Sequence, residues 1–324
     1  MKRREFLGSI VGAATLSTLP DLAVADAQYP NRPVRIVAGF AAGGGVDITS
    51  RLMGQWLNER LGQPFVIENR TGADGNIATD AVVNAPPDGY TLLLATLPNA
   101  VNASLYPKLN FVFLRDIAAV AGVIRVPMVA LVHPSLPAKS IAELIAYAKD
   151  NPGKINMASA GTGSAPHMAG ELFNSMAGVN MQHVPYRGQG PALSDLIGGQ
   201  VQILFAAAPG TVDYIKTQKL RALAVTSPTE ADVLKELPTI AATLPGYEAS
   251  QWYGLAAPAK TPAAIIERLN RETNAAFADA AMKARFAAIS GEPIAGTPAQ
   301  FAKLIADETE KWAKVVKFAG LKVE

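Results

Sequence analysis

Apolar positions along this chain alternate between two rhythms: short runs of aliphatic and β-branched residues, then apolar residues three and four apart. Residues 33–40, Pro-Val-Arg-Ile-Val-Ala-Gly-Phe, predict a strand. A glycine-rich turn follows over 41–47, and Ile48, Leu52, Met53, Trp56 and Leu57 then share one helical face. Residues 65–69 predict a second strand and 72–75 a second tight loop before a helix. The Asp88-Gly89 pair introduces a third strand over 90–95.

The middle of the chain repeats the rhythm. Residues 126–132 form an apolar strand candidate. Ser140 and Glu143 have the spacing of a capping box, in which both side chains satisfy free amides at a helix start. Residues 154–159 read as a strand running into Gly-Thr-Gly-Ser, with a helix over 166–176. More strands are expected over 182–186, 201–205, 220–226 and 252–257, the last closed by Pro258. Thr261-Pro262 and Thr297-Pro298 each predict a helix start, with threonine as the cap and proline at the first helical position. In the final helix Phe301, Leu304, Ile305, Trp312, Val315 and Val316 form one stripe, which reads as core packing. Strand–loop–helix repetition is the pattern of α/β sheets flanked by helices.

Composition narrows the classes of function. The chain has 324 residues, 49% apolar and 17% charged, with 29 basic and 27 acidic side chains and no cysteine. Its length exceeds the roughly 250–300 residues at which a single core stops growing, so two lobes are expected. Without cysteine there is no thiol nucleophile, disulfide or cysteine-ligated metal. Near-balanced charge and the lack of a Lys/Arg block argue against nucleic acid as a partner.

The first 27 residues read as an export signal. Lys2, Arg3 and Arg4 form a basic head, 6–19 an apolar run of small residues, and Ala25-Asp26-Ala27 a signal-peptidase pattern. The run is shorter than the roughly 20 residues of a membrane-spanning helix. Arg3-Arg4-Glu5-Phe6-Leu7 resembles a twin-arginine signal, but such pairs also occur in Sec signals, so both routes stay open. Cleavage after Ala27 would start a periplasmic mature chain at Gln28.

Catalytic signatures are missing from the sequence. It contains no G-x-S-x-G elbow, no G-x-x-x-x-G-K-[ST] loop and no H-E-x-x-H pair. Gly161 and Gly163 approach a dinucleotide fingerprint, but Pro166 occupies its third glycine position. His133, His167 and His183 lack metal-ligand spacing, and His133 and His183 read as structural residues at strand ends. The chain instead carries small-residue loops between strand and helix, Ala-Gly-Gly-Gly-Val-Asp at 42–47 and Ser-Ala-Gly-Thr-Gly-Ser at 159–164. Such loops present backbone amides at the positive end of a helix. Gly43, Gly44, Gly161 and Gly163 leave room for an anion, and Ser159, Thr162 and Ser164 add hydroxyl donors. Plain turn chemistry explains most single loops of this kind. Two of them in different halves favour an anion held between lobes, at the carboxyl ends of strands.

With these residues in place, the chain resembles the Bug-type substrate-binding proteins of tripartite tricarboxylate transporters. The resemblance is carried by Tyr-Pro-Asn-Arg-Pro-Val-Arg-Ile-Val at 29–37, Phe-Ala-Ala-Gly-Gly-Gly-Val-Asp at 40–47 and Glu-Asn-Arg-Thr-Gly-Ala-Asp-Gly at 68–75. It continues through Asp-Gly-Tyr-Thr-Leu at 88–92, Ser-Ala-Gly-Thr-Gly-Ser-Ala-Pro-His at 159–167 and His-Val-Pro-Tyr-Arg-Gly at 183–188. Pro191-Ala192, Asp195, Gly198-Gly199-Gln200 and Trp-Tyr-Gly-Leu-Ala-Ala-Pro at 252–258 complete it, so that it spans nearly the whole mature chain.

The resemblance implies an α/β, two-lobed periplasmic-binding-protein fold of the type II flytrap kind, each lobe a sheet flanked by helices. Its lobes would comprise 28–127 with 253–324, and 128–252. The implied first-lobe contacts are Phe40, Ala42, Gly43, Asp47 and the Ala95-Thr96 loop, beside Gly44 from the loop reading. The implied second-lobe contacts are Ser159, Gly161, Thr162, Gly163, Ser164, His167, Tyr186 and Ala207. Ala41 and Ala42 stand where the family usually has two prolines, Ser164 where threonine is common, and Gln202 where aspartate is frequent.

The function implied is capture of a small organic carboxylate and its delivery to integral-membrane transporter subunits. The expectation is a monomer with no enzyme activity, cofactor or metal. Two other readings are weighed: a ligand sensor for a membrane receptor, and a hydrolase using Ser164, His167 and Asp195. The hydrolase is disfavoured because Ser164 and His167 lie three apart in one element and no elbow motif supports them.

Overall fold

The computed structural model describes residues 29–323 except 209, 230–233 and 235, so the expected export signal lies outside the described residues. β1 (Val34–Ala38) leads through the glycine turn into α1 (Gly45–Leu61), which starts three residues before its first apolar face position, Ile48. β2 (Phe65–Asn69) and a short helical turn, Ala73–Gly75, precede α2 (Asn76–Val83). β3 (Thr91–Thr96) is buried along its whole length and runs directly into α3 (Leu97–Leu105). The single turn α4 (Phe113–Asp116) then opens β4 (Ile117–Val126), and Pro127 separates β4 from β5 (Met128–Val132).

Next come α5 (Ile141–Asp150), β6 (Asn156–Ser159), α6 (Ala165–Ala177), β7 (Gln182–Pro185) and α7 (Gln189–Ile197). β8 (Ile203–Ala207), α8 (Val212–Lys216) and β9 (Arg221–Val225) follow. The chain ends with β10 (Gln251–Pro258), α9 (Ala263–Ala275), α10 (Ala280–Ala288), β11 (Glu292–Pro293) and α11 (Pro298–Phe318).

These strands form two mixed sheets, ordered β11-β4-β10-β3-β1-β2 and β7-β6-β8-β5-β9. In the first, β1 lies between parallel β2 and β3, and β10 joins β3 antiparallel. In the second, β6 lies between parallel β7 and β8, and β5 joins β8 antiparallel. The two sheets therefore repeat one topology, with β1 and β6 in equivalent places. Pro127 is the passage between them, which is why the apolar run expected as one strand over 126–132 is two strands in different sheets.

Several expectations need correction. β4 begins at Ile117, nine residues before the strand expected at 126, because its Ala118, Ala119, Ala121 and Gly122 lack a strand signature. Those small residues let α9 and α11 pack closely on the strand. Thr261 does not cap α9: its hydroxyl donates to Pro258 O at 2.8 Å, and Pro262 holds the cap position. Ser140 caps α5 by accepting the Glu143 amide, but the Glu143 carboxylate accepts the Lys139 amide (2.8 Å) instead of that of Ser140. Thr297 and Gln300 do form a reciprocal capping box at the start of α11.

On α11, Phe301, Ile305, Trp312, Val315 and Val316 are buried as the stripe predicts, while Leu304 is partly buried. This helix packs on α3 and β4 of the first sheet and on α6 of the second. One hydrophobic cluster accordingly joins Val37 and Leu93 to Met128, Phe173 and Phe205 through Trp252, Phe301 and Trp312. No helix among the described residues is long and apolar enough to cross a membrane.

Candidate functional site

Parallel strands side by side place the loops at their carboxyl ends side by side. Ala38 registers with Asn69 of β2 and Leu94 of β3, which gathers the loops leading to α1, α2 and α3. The Asn69 amide donates to Phe40 O at 2.9 Å, tying two of these loops together. In the second sheet Ser159 registers with Pro185, and the Tyr186 amide donates to Ser159 O at 3.1 Å. A side chain at Gly161 would stand 3.5 Å from Tyr186 O.

The two loop clusters meet. A Cβ on Gly163 would lie 2.6 Å from Leu105 Cδ2 at the end of α3 and 4.0 Å from Asp74 Oδ2. Asp74 belongs to the turn before α2, whose Gly75 stands next to the Phe40 ring. Asp74 accepts the Tyr106 hydroxyl at 2.9 Å, and burial with this bond pushes the Tyr106 phenol up. Ala73 and Asp74 both hold left-handed backbone (φ 45° and 50°), a strained geometry that recurs at ligand clamps.

The first loop exposes Ala42, Gly43 and Gly44, while Phe40 is partly buried. Asp47, expected as a contact, is 3% exposed. Its Oδ2 accepts the Gly43 amide (2.9 Å) and Arg51 Nε (3.0 Å), so it shapes the loop from behind. Arg51, then burial working the other way, leaves the Asp47 carboxyl below its ordinary range. Ala95 and Thr96 lie beneath the surface, and the Thr96 amide and hydroxyl both donate to Asn99 Oδ1. The α1 amides nearest Gly44 remain without intrahelical partners, as at any helix start.

The second loop divides its hydroxyls by task. Ser164 Oγ donates to Gly161 O (2.6 Å), and Ser159 Oγ accepts the Gly161 amide (3.1 Å) while lying 2.6 Å from His183 Nε2. Thr162 is partly buried, and its hydroxyl has no hydrogen-bond partner among the described residues. His167 is fully buried and accepts the Gly163 amide at Nδ1 (3.0 Å). Tyr186 donates to Asp195 Oδ2 (2.7 Å), and burial with this bond pushes its phenol up to about 12. Ala207 exchanges both backbone groups with the side chain of Gln189.

His167 and His183, distant in sequence, stack with ring centroids 3.6 Å apart. Burial, and secondarily His167, lower His183 to about 4. The unfolded chain takes up this proton near the ordinary value of about 6.5, whereas the folded chain does not until about 4. Stability therefore falls as pH drops through that window. The full shift corresponds to about 3 kcal/mol, and partial exposure screens it to about 1–2 kcal/mol. Urea unfolding at pH 7 and pH 4.5 should show wild type losing about 1–2 kcal/mol more than His183→Gln. Equal losses would assign the acid sensitivity elsewhere.

Residues 49–321 match the Tripartite tricarboxylate transporter family receptor. The chain belongs to this receptor family. Protein BugT of Bordetella pertussis (strain Tohama I) is 38% identical to it over 299 residues, 91% of this chain and 92% of BugT. Rpa4515 of R. palustris, solved with adipate, matches at TM-score 0.80 and 36% identity over 91% of this chain and 100% of its own. MatC from Rhodopseudomonas palustris, solved with bound malate, matches at TM-score 0.75 and 32% identity over 89% and 100%.

The receptor fold is thus the two-lobed periplasmic-binding-protein fold, and its relatives are solute-binding proteins rather than enzymes. Ser164, His167 and Asp195, the three residues of the hydrolase reading, each bond a different partner: Gly161 O, the Gly163 amide and the Tyr186 hydroxyl. Sequence reasoning missed Asp74, Leu105, Tyr106 and Gln189. The Gly-Gln-Gly-Pro run at 188–191 was a readable signal for Gln189, being another glycine loop ahead of a helix. Leu105 and Tyr106 carry no local signal, since Leu105 is placed by the approach of Gly163 and Tyr106 by its bond to Asp74.

Proposed function

We propose that this receptor captures a small organic carboxylate between the 40–44 and 159–164 loops and delivers it to the membrane subunits of a tripartite transporter. The observation that carries the reading is the approach of the 159–164 loop to the first sheet's loop cluster, with Gly163 against Leu105 and Asp74, and a Thr162 hydroxyl that has no hydrogen-bond partner among the described residues. Carboxylates suit free amides at helix starts, and adipate and malate occupy the solved relatives. A thermal-shift screen of aliphatic di- and tricarboxylates, amino acids and aromatic acids tests the reading. An acid at about 100 times its Kd should add about 2.7 kcal/mol. No shift with any acid would overturn it.

In this reading the protein works as a monomer, with 28–127 and 253–324 as one lobe and 128–252 as the other; sheet membership supports this division except at Gln251 and Trp252, which already pair with β4 in the first sheet. Saturating acid should make the particle more compact by small-angle scattering, and identical profiles would reject hinge closure. Export would end with cleavage after Ala27. N-terminal sequencing of periplasmic protein should begin at Gln28, and recovery of intact Met1 there would refute cleavage.

A further inference from the structure

Both ligand loops use one backbone device built from different chemistry. In each sheet the middle parallel strand, β1 or β6, leads to a glycine at positive φ, Gly43 (84°) or Gly163 (80°). The helix cap follows at once, Gly44 or Ser164. Each glycine donates its amide to the side chain four residues on: Asp47 Oδ2 at 2.9 Å, His167 Nδ1 at 3.0 Å. Both acceptors are buried. Equivalent places in the two lobes therefore hold a carboxylate and an imidazole.

The two acceptors differ by one charge. A carboxylate in the first turn offsets the positive end of its own helix, and Asp47 is further matched by Arg51 at 2.9 Å. His167 accepts at Nδ1, so its proton sits on Nε2, which lies 3.5 Å from Glu171 Oε1 one turn further into α6. The ring is neutral in this arrangement. The first turn of α6 carries no acidic side chain, and Pro166 withholds an amide but adds no charge.

We propose that His167 is a positioning residue: it fixes the anion loop through the Gly163 amide while adding no charge of its own to the first turn of α6, so that a ligand carboxylate there meets the one carboxylate of Asp74, 4.0 Å from a Cβ on Gly163, rather than two. The charge half of this assignment rests on the carboxylate reading above. His183 supports the same loop from its other end, stacked on His167 and bonded to Ser159, whose hydroxyl accepts the Gly161 amide.

His167→Asn and His167→Asp test the assignment. Both side chains present Oδ1 to the Gly163 amide and both lose the stack on His183; they differ by one charge and by an Nδ2 donor in place of a second acceptor oxygen. With adipate, or the tightest acid of the screen, as the probe, His167→Asn should bind more tightly than His167→Ala, because it keeps an acceptor for the Gly163 amide. His167→Asp should bind about tenfold more weakly than His167→Asn at low salt, with the gap narrowing as salt rises. Equal affinities of the two variants would overturn the charge assignment.

A measurement without ligand decides the positioning role. Nitrogen-15 spectra should show wild-type His167 protonated at Nε2, and the Gly163 amide should exchange slowly in wild type and His167→Asn but fast in His167→Ala. An Nδ1-protonated ring, or equal exchange in all three, would overturn it. If no acid binds wild type, the carboxylate reading falls and takes the charge assignment with it, while the tautomer still decides the positioning role.

Discussion

Trp312→Ala should destabilise the folded chain by about 3–5 kcal/mol, the range for removing a large buried aromatic. Trp312 is fully buried on α11 and donates its indole N–H to Glu308 Oε2 at 2.8 Å. Trp252 donates to the same carboxylate oxygen at 3.2 Å, and Lys311 pairs with Glu308 beside it. Losing the indole opens a cavity where α11 touches elements of both sheets and leaves the carboxylate one donor short. Trp312→Phe should lose less, because it keeps most of the volume. Urea unfolding reads both. A loss below about 1 kcal/mol for Trp312→Ala would show that α11 does not hold the two sheets together.

Thr162→Val should weaken binding of the cognate acid about 10- to 150-fold, the equivalent of losing one charge-assisted hydrogen bond of about 1.5–3 kcal/mol. Three hydroxyls in the loop looked equivalent in the sequence, and the structure separates them. Ser159 and Ser164 are committed to the shape of the loop, whereas the Thr162 hydroxyl has no partner among the described residues. The melting temperature of free Thr162→Val should therefore match wild type, since valine removes no internal bond. Ser164→Ala should differ, lowering affinity through a relaxed loop once the 2.6 Å bond to Gly161 O is gone. An unchanged Kd for Thr162→Val would remove that hydroxyl from the site.

The parts of this protein legible in the sequence are those governed by local chemistry. β2 has the expected limits because its flanking turns are marked, and the Thr297 capping box announces α11 four residues ahead of its first core contact. Both glycine loops were visible as strand-to-helix turns. β4 was not, because its small residues answer to helices distant in sequence, and the apolar run across Pro127 hides a change of sheet. The stack of His167 on His183 depends on β6 and β7 pairing in a register that no local spacing encodes. Asp47 and His167 were singled out as ligand contacts, and the structure places both behind their loops, accepting a glycine amide four residues back. That spacing was readable, since each lies three residues past a helix cap.

The measurement that bears most directly on the central claim is a crystal structure of the mature protein saturated with the tightest acid of the screen. That structure should show a carboxylate within about 3 Å of Thr162 Oγ1 and the first α6 amides, with the ligand also touching the 42–44 loop. An acid seated outside both loops, or one held by the first lobe alone with Thr162 free, would contradict it.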